Sequence, residues 1–333
     1  MKVFIVFENR YHGLSSLLKD YTYTQKIMGE ITWFMSLMKH LESQKNIKVI
    51  HCPNILYFKK CLINFKDFNP YLIMDYITIP KTINFIDLNK TYCMCYWGRD
   101  ENRIKLLGNK NGKFLSLKNV LTPFDYNNQN AYLGYNLDIL CGQINDKKYN
   151  KEYGILWGKD IECINVKLVT QLCKMGIHFY STSRTKLDID GVINLGIIPK
   201  REWYTLLDNC NFILGSGNPS SGPTILEALY YKTPLFCPSS QVPTSCQGSK
   251  NIYFIDNMNA DEIYNKIISV EFKDDMVTKS LINSKDYSSR VSEIFNLEHS
   301  TSGLSRPREN DLMRVKSRTR PSRTRRFFIM FNN

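Results

Sequence analysis

Apolar residues come in short runs along this chain, and segments of helix length separate the runs. Residues 3–7 and 47–51 form two runs of strand length, and between them apolar residues recur at helical spacing over 25–41. Further apolar runs occupy 70–79 and 91–97. Strands that alternate with helices predict a parallel sheet with helices on both faces. The first half of the chain is therefore predicted to be a Rossmann-like α/β domain.

A polar segment near residues 138–149 interrupts this pattern, and the alternation of strands and helices restarts after it. Such a segment is typical of a linker between domains. In the second half, helices are predicted over 160–174 and 260–270. Strands are predicted over 154–157, 177–180, 192–195, 211–214, 234–237 and 252–255. The chain thus contains two Rossmann-like halves without internal sequence repetition.

The candidate ligand site follows the predicted strand at 211–214, where a glycine-rich turn leads into a helix. Gly215 and Gly217 permit a tight turn and a close approach of the backbone to a ligand. Pro223 suits the first turn of the new helix. A helix start with free amides after a strand suits a diphosphate. Hydroxyl residues that can cap such a start are Ser220, Ser221 and Thr224.

Other residues are placed to complete a nucleotide site around this turn. Glu227 lies about one turn into the helix, where a carboxylate could reach ribose hydroxyls. Lys159 follows Gly158 after the first strand of the second half, where it could contact a phosphate. The phosphate loops of kinases and dehydrogenases and the nucleophile elbow of serine hydrolases do not occur. The pattern therefore predicts a nucleotide-sugar site. The structural alternative is an ordinary strand-to-helix turn with capping serines.

Composition narrows the class of protein further. The chain has 333 residues, of which 43% are hydrophobic and 23% charged, as in a soluble globular protein. No apolar run approaches the ~20 residues of a membrane span, and the opening residues are predicted to be a strand rather than a signal peptide. The ten cysteines are scattered, and Cys210 and Cys237 are predicted to be buried free thiols. A cytosolic location or a catalytic fragment without its anchor would both fit.

The net charge of +13 is concentrated in part at the end of the chain. Eight of the 14 arginines fall between Arg306 and Arg326. The segment from about residue 300 is predicted to be disordered. It could contact anionic lipid, nucleic acid or an acidic partner through nonspecific charge, although a solvated extension without a ligand is the simpler interpretation. We predict no specific nucleic-acid partner.

Residues 217–228 resemble a signature of glycosyltransferase family 18, the N-acetylglucosaminyltransferase V family. The family carries Gly-Phe-Pro-Tyr-Glu-Gly-Pro-Ala-Pro-Leu-Glu-Ala, and this chain reads Gly-Asn-Pro-Ser-Ser-Gly-Pro-Thr-Ile-Leu-Glu-Ala, so that seven of the twelve positions agree. Weaker similarity covers 121–138, the strand that starts at Gly154, and the Gly29-Glu30-Ile31 triplet, which resembles the family's Gly-Glu-Leu. Donor-site positions in the matching stretch include Gly217 and Gly222.

The expected fold is α/β of the GT-B type, with two Rossmann-like domains whose parallel sheets face across a cleft. We predict an acceptor domain over 1–145, a nucleotide-sugar domain over 146–297 and an arginine-rich tail over 298–333. The resemblance implies an inverting, metal-independent transfer of N-acetylglucosamine from UDP-N-acetylglucosamine to a hydroxyl of a mannose-containing glycan. It assigns the catalytic base to Glu30, because a carboxylate must take the proton of the attacking hydroxyl.

The chain departs from the family pattern at one donor position. Ser221 stands where the family has Glu, and a hydroxyl supplies no charge. Lys250 is the only cation between Pro238 and Ile252, and by the resemblance it would neutralise the leaving diphosphate. Two rival interpretations remain open. One is a UDP-sugar epimerase or hydrolase on the same fold, and the other is a catalytically inactive protein that binds a nucleotide sugar or acts through its tail.

One motif in the chain is typical of metal sites. Asp188-Ile189-Asp190 imitates the Asp-x-Asp motif of metal-dependent glycosyltransferases. We nevertheless expect no metal and no cofactor, because the start of a helix can stabilise the negative charge of the diphosphate in place of a metal.

The cellular compartment stays undecided. The absence of a signal or a span favours the cytosol, whereas relatives in the resembled family act in the Golgi lumen behind an anchor.

Overall fold

The structure of the protein is a computed structural model. It describes residues 1–7, 29–75, 79–94, 120–122, 131–141, 144–158, 161–215 and 223–297. Met1–Leu297 form one compact unit. The predicted tail lies outside the described residues, so its disorder stays a prediction.

The first half folds around a six-stranded sheet whose order is β2-β1-β3-β4-β5-β6, and every pair of neighbouring strands in it is parallel. Its strands are β1 (Lys2–Phe7), β2 (Ile47–Cys52), β3 (Tyr71–Asp75), β4 (Thr91–Met94), β5 (Val120–Thr122) and β6 (Ala131–Tyr132). Its helices are α1 (Gly29–Glu42), α2 (Ile55–Asn64), α3 (Ile79–Thr82) and α4 (Leu137–Leu140).

The second half folds around another six-stranded parallel sheet, with the order β12-β11-β10-β7-β8-β9. Its strands are β7 (Gly154–Leu156), β8 (Phe179–Ser181), β9 (Val192–Asn194), β10 (Phe212–Leu214), β11 (Leu235–Cys237) and β12 (Ile252–Phe254). Its helices are α5 (Val166–Lys174), α6 (Lys200–Asn209), α7 (Thr224–Tyr230), α8 (Ala260–Ile268), α9 (Met276–Ile282) and α10 (Ser284–Ile294). The prediction of two Rossmann-like sheets is thus confirmed.

Burial on both faces explains the apolar run of β1. In β1, Phe4 and Val6 belong to one hydrophobic cluster, whereas Val3, Ile5 and Phe7 belong to another on the opposite face. Because side chains alternate across a strand, both faces of the first sheet are covered. The second sheet is likewise buried on both faces.

Helix boundaries follow local capping groups. The helix predicted over 160–174 starts later, at Val166, because the Asn165 side chain accepts a hydrogen bond from the Leu168 amide. Helix α8 begins with a full capping box between Asn259 and Glu262.

The last helix returns to the first sheet. Arg290 on α10 donates to the Leu133 carbonyl over 3.1 Å, and the Tyr92 hydroxyl donates to the Ile294 carbonyl over 3.2 Å. Phe295 follows α10 and packs edge-on against Phe4, with ring centroids 5.1 Å apart. The chain therefore crosses between the two sheets twice. The domain boundary drawn at residue 145 stays a prediction.

Cysteine burial agrees with the thiol prediction. Nine cysteines are described and all are free, and Cys210 and Cys237 are buried as expected. Burial raises the pKa of the Cys210 thiol to about 12, so this thiol is protonated at neutral pH. Within the described ranges, no helix has the length and apolar character to cross a bilayer.

Candidate functional site

The strand order of the second sheet identifies the edge where a ligand is expected. Strands β8 and β9 lie on one side of β7, and β10 to β12 lie on the other. In parallel α/β sheets, ligands bind outside the carboxyl ends of the strands, where the strand order reverses. That point is the carboxyl end of β7 and β10, where the Trp157 amide donates to the Leu214 carbonyl over 2.8 Å.

Two glycines of the predicted site meet at this edge, and the protein's own packing requires both. A Cβ on Gly215 would lie 2.7 Å from the Trp157 ring and 3.0 Å from Gln241 Oε1. A Cβ on Gly158 would lie 2.7 Å from the Ile164 side chain. Contacts within the protein therefore require glycine at both positions, and both glycines are buried.

Most of the glycine-rich turn lies outside the described residues. This holds for Gly217, Ser220, Ser221 and Gly222, and for Lys159 after β7. Their roles in donor binding stay predictions.

Helix α7 starts where the glycine-rich turn was predicted to end. Thr224 is its first residue, and buried Pro223 precedes it with a φ of −58°. The Pro223 carbonyl accepts from the Glu227 amide over 2.9 Å, which closes the first turn. Neither residue supplies a side-chain cap at this start. The predicted strand and helix are thus in place, and the turn between them lies outside the described residues.

Glu227 is fully buried, and both its carboxylate oxygens are engaged. Oε1 lies 2.5 Å from Lys200 Nζ, and Oε2 accepts from Trp203 Nε1 over 2.8 Å. The Tyr204 hydroxyl lies 3.5 Å from Oε1. A carboxylate oxygen can accept two hydrogen bonds, so a ribose contact is limited by the burial of the side chain rather than by its partners. The predicted ribose contact of Glu227 stays a prediction.

The partners of Glu227 lie on one face of α6. Lys200, Trp203 and Tyr204 are spaced i, i+3 and i+4, which places their side chains side by side. Since α6 follows β9 and leads into β10, it begins at the carboxyl edge of the sheet, and so does Lys200. The sequence analysis did not identify this set. The signal it could have used is a lysine and two aromatic residues at helical spacing, one helix before an acid in an apolar helix.

Helix α7 is also tied to the first half of the chain. The Tyr230 hydroxyl donates to the Asp138 carboxylate over 3.1 Å, and the Tyr231 hydroxyl donates to the Cys141 carbonyl. Burial, together with the Asp138 carboxylate, raises the pKa of Tyr230 to about 12. Tyr230 therefore stays a hydrogen-bond donor at neutral pH, and α7 is held from both sides.

A second polar group supports α6 from the linker side. Lys147 and the Tyr149 hydroxyl both donate to Glu202, the latter over 2.5 Å. Burial would by itself raise the pKa of Glu202, but the hydrogen bonds from Lys147 and Tyr149 hold it below its ordinary value. Glu202 is thus ionised near neutral pH and anchors α6 to the predicted linker.

Lys250 lies away from this edge. It precedes β12, whose Ile252 pairs with Leu235 at the start of β11. Its amide donates to the Asp275 carboxylate over 3.3 Å, and the residue is exposed. The amino ends and carboxyl ends of parallel strands lie at opposite edges of a sheet, so the fold does not bring Lys250 together with Thr224.

Glu30 lies at the corresponding edge of the first sheet. Helix α1 ends at Glu42, shortly before β2 begins at Ile47, so its start lies toward the carboxyl end of that strand. Glu30 is the second residue of α1. Its side chain lies outside what the structure describes, and its role as base stays a prediction.

No metal centre is formed by the part of the chain that the structure describes, since no three His, Cys, Asp or Glu side chains come together there. Asp188 and Asp190, the Asp-x-Asp candidates, are exposed between β8 and β9. Independence from metal stays a prediction.

Comparison with known proteins supports the fold and leaves the family open. No family model matches the chain, and no curated protein matches it. Among solved structures, an alpha-glucosyltransferase in complex with UDP aligns at a TM-score of 0.52 and 9% identity, over 90% of this chain and 96% of that one.

Two further structures are similar at lower scores. A UDP co-structure of S. aureus MnaA aligns at a TM-score of 0.49 and 11% identity, over 89% of this chain and 97% of that one. The Methanocaldococcus jannaschii UDP-GlcNAc 2-epimerase aligns at 0.48 and 10% identity, over 90% of this chain and all of that one. With its two parallel sheets and their strand orders, the chain has a fold of the GT-B type.

Proposed function

We propose that the protein is an inverting, metal-independent glycosyltransferase and a divergent relative of glycosyltransferase family 18. It would move N-acetylglucosamine from UDP-N-acetylglucosamine to a hydroxyl of a mannose-containing glycan. The observation that carries the proposal is the switch point of the second sheet, where β7 and β10 lie side by side and β10 leads on to α7. The alpha-glucosyltransferase of similar fold is in complex with UDP, which supports a nucleotide-sugar donor.

The charges that the reaction involves suggest a role for each predicted site residue. The donor diphosphate needs amides and a cation, and we assign these to the turn over 216–222, to Thr224 and to Lys159. Lys250 precedes β12 at the amino edge of the sheet, and its role at the leaving diphosphate stays a prediction. Glu30 would take the proton of the acceptor hydroxyl as its oxygen attacks the anomeric carbon, while UDP leaves from the other face.

Thermal unfolding with a nucleotide sugar tests donor binding directly. UDP-N-acetylglucosamine should raise the melting temperature in the presence of EDTA, because the site needs no metal. Glu30→Gln should keep this shift and lower transfer to a mannose-containing glycan by about 10²–10⁴-fold, the usual contribution of a general base. Glu42→Gln, at the other end of α1, is the matched control and should transfer normally.

Other outcomes distinguish the rival interpretations. Absence of a shift with every UDP-sugar removes the proposal. Conversion of UDP-N-acetylglucosamine without an acceptor would identify an epimerase or a hydrolase. A shift without turnover of any kind would identify an inactive binding protein.

A further inference from the structure

Exposed apolar side chains cluster on helix α2. Twelve large hydrophobic residues are strongly exposed among those the structure describes, and four of these fall within the thirteen residues from Leu56 to Phe68. Leu56 is 69% exposed and Ile63 is 74% exposed, and Tyr57 and Phe68 complete the set. Single exposed apolar residues are normal on a protein surface, whereas a group of them marks an interaction site.

The helix geometry places the two aliphatic residues on one outward stripe. Leu56 and Ile63 are seven positions apart, with Lys60 between them at i+4 from Leu56. The residues that anchor α2 to the sheet, Phe58 and Cys61, are buried on the opposite side. We call the outward stripe and its neighbours Tyr57, Lys59 and Phe68 the α2 face.

The α2 face lies in a strongly basic stretch. Residues 43–66 contain five lysines and no Asp or Glu. Two of these lysines lie over aromatic rings, Lys59 over Phe85 at 4.6 Å and Lys48 over Phe65 at 4.8 Å from the centroid. In both contacts the ammonium nitrogen lies over the face of the ring, and both lysines remain exposed. The surface combines protruding apolar tips with net positive charge, because Asp67, next to Phe68, is the single acidic residue of the sequence over 43–68.

We propose that the α2 face binds the surface of an anionic lipid membrane. A helix of ten residues is about 15 Å long, too short to span a bilayer but sufficient to lie in its interface. Apolar side chains would enter the boundary between headgroups and acyl chains, and the lysines would remain among the headgroups.

The residue types favour a membrane over an acidic protein. Lysine is depleted in the centre of protein–protein interfaces, where Arg, Tyr and Trp usually anchor a partner. Around anionic lipid the preference is reversed, because each lysine near the surface gains attraction without being desolvated. This inference does not depend on the proposed glycosyl transfer.

Sedimentation of the full chain with lipid vesicles tests the proposal. The chain should bind vesicles that contain phosphatidylserine and should bind pure phosphatidylcholine much more weakly. Leu56→Ser and Ile63→Ser should each weaken binding by about tenfold, because each removes an inserted side chain. Lys59→Gln and Lys60→Gln should each weaken it by about fivefold, and more so at low salt.

A matched double variant separates this effect from general hydrophobicity. Ile268 and Met276 are 61% and 78% exposed in the second half of the chain. Ile268→Ser/Met276→Ser should bind vesicles as the unmodified chain does. If Leu56→Ser/Ile63→Ser binds equally well, binding runs through other basic segments such as the arginine-rich tail, and the proposal is overturned.

Tryptophan fluorescence tests directly whether the α2 face inserts into the membrane. Tyr57, which is 45% exposed, can be replaced by Trp on the same face. The emission of Tyr57→Trp should shift to the blue when phosphatidylserine vesicles are added, and an unchanged spectrum would contradict insertion.

Light scattering would reveal a self-associated chain. Loss of that association in Leu56→Ser/Ile63→Ser would instead make the α2 face a contact between copies of the chain and would overturn the proposal.

Discussion

The buried ion pair between Lys200 and Glu227 predicts a large loss of stability when one partner is removed. The Glu227 side chain is fully buried and that of Lys200 is 13% exposed, with 2.5 Å between Nζ and Oε1. At an effective dielectric constant of ~20, the two charges attract by about 7 kcal/mol, and the cost of burying them offsets part of this. Lys200→Met leaves the carboxylate with neutral donors alone. We expect the free energy of unfolding to fall by about 3 kcal/mol.

Urea unfolding at neutral pH, followed by tryptophan fluorescence, measures this loss. The double variant Lys200→Met/Glu227→Gln should recover most of it, because the amide carries no charge and can still accept from Trp203. Lys147→Met is the matched control. Lys147 pairs with Glu202 but is 50% exposed, so its removal should cost less than about 1 kcal/mol.

Two results would refute the reasoning. Lys200→Met could unfold within about 0.5 kcal/mol of the unmodified chain, as an ordinary surface substitution does. Alternatively, the double variant could lose the sum of the two single losses, which would mean that the side chains do not interact. In either case the stability of the fold around buried Glu227 would not depend on its ion pair with Lys200.

Three further predictions concern other parts of the fold. Burial lowers the pKa of His40 to about 4, so the unfolded chain binds the proton first as pH falls below the ordinary value of about 6.5. The protein should therefore lose about 2 kcal/mol between neutral pH and pH ~5, and His40→Gln should flatten this dependence in urea titrations. Gly215→Ala should cost about 1–3 kcal/mol because the methyl group overlaps the Trp157 ring. Gly248→Ala, whose methyl group would meet only a valine at 3.3 Å, should unfold nearly as the unmodified chain does. Phe295→Ala should cost about 3–5 kcal/mol, measured by the same titration, since Phe295 is fully buried; a loss below about 1 kcal/mol would show that α10 does not depend on it.

Local chemistry made the central strand, turn and helix predictable. An apolar run ending in Gly215 and followed by Pro223 allows few alternatives, because proline cannot continue a strand and suits a helix start. The strands of the first sheet were equally clear where both faces are buried, as in β1. Strands β5 and β6 were not predicted, since they have three and two residues and are too short for a periodic signal.

Contacts between distant segments could not be predicted. The docking of α10 on the first sheet joins Phe295 to Phe4, and no period in the sequence relates these positions. The same is true of the pairing between Tyr230 and Asp138. The position of Lys250 shows how this limit affects a site. Similarity in sequence order assigned it to the donor, whereas the direction of β12 places its backbone at the amino edge of the sheet, and its role stays a prediction.

The buried contacts of Glu227 link the affinity for UDP to the stability of the fold, and both quantities can be measured. If Glu227 contacts the ribose, the packing of α6 against α7 must open to expose the carboxylate, and the bonds from Lys200 and Trp203 oppose that opening. Lys200→Met would then weaken the fold yet free Oε1, so the Kd for UDP should fall. If Glu227 serves only to hold α7 against α6, Lys200→Met loosens the helix start and the Kd should stay or rise. Calorimetric titration of UDP into this variant therefore decides whether the carboxylate is a ligand or an anchor.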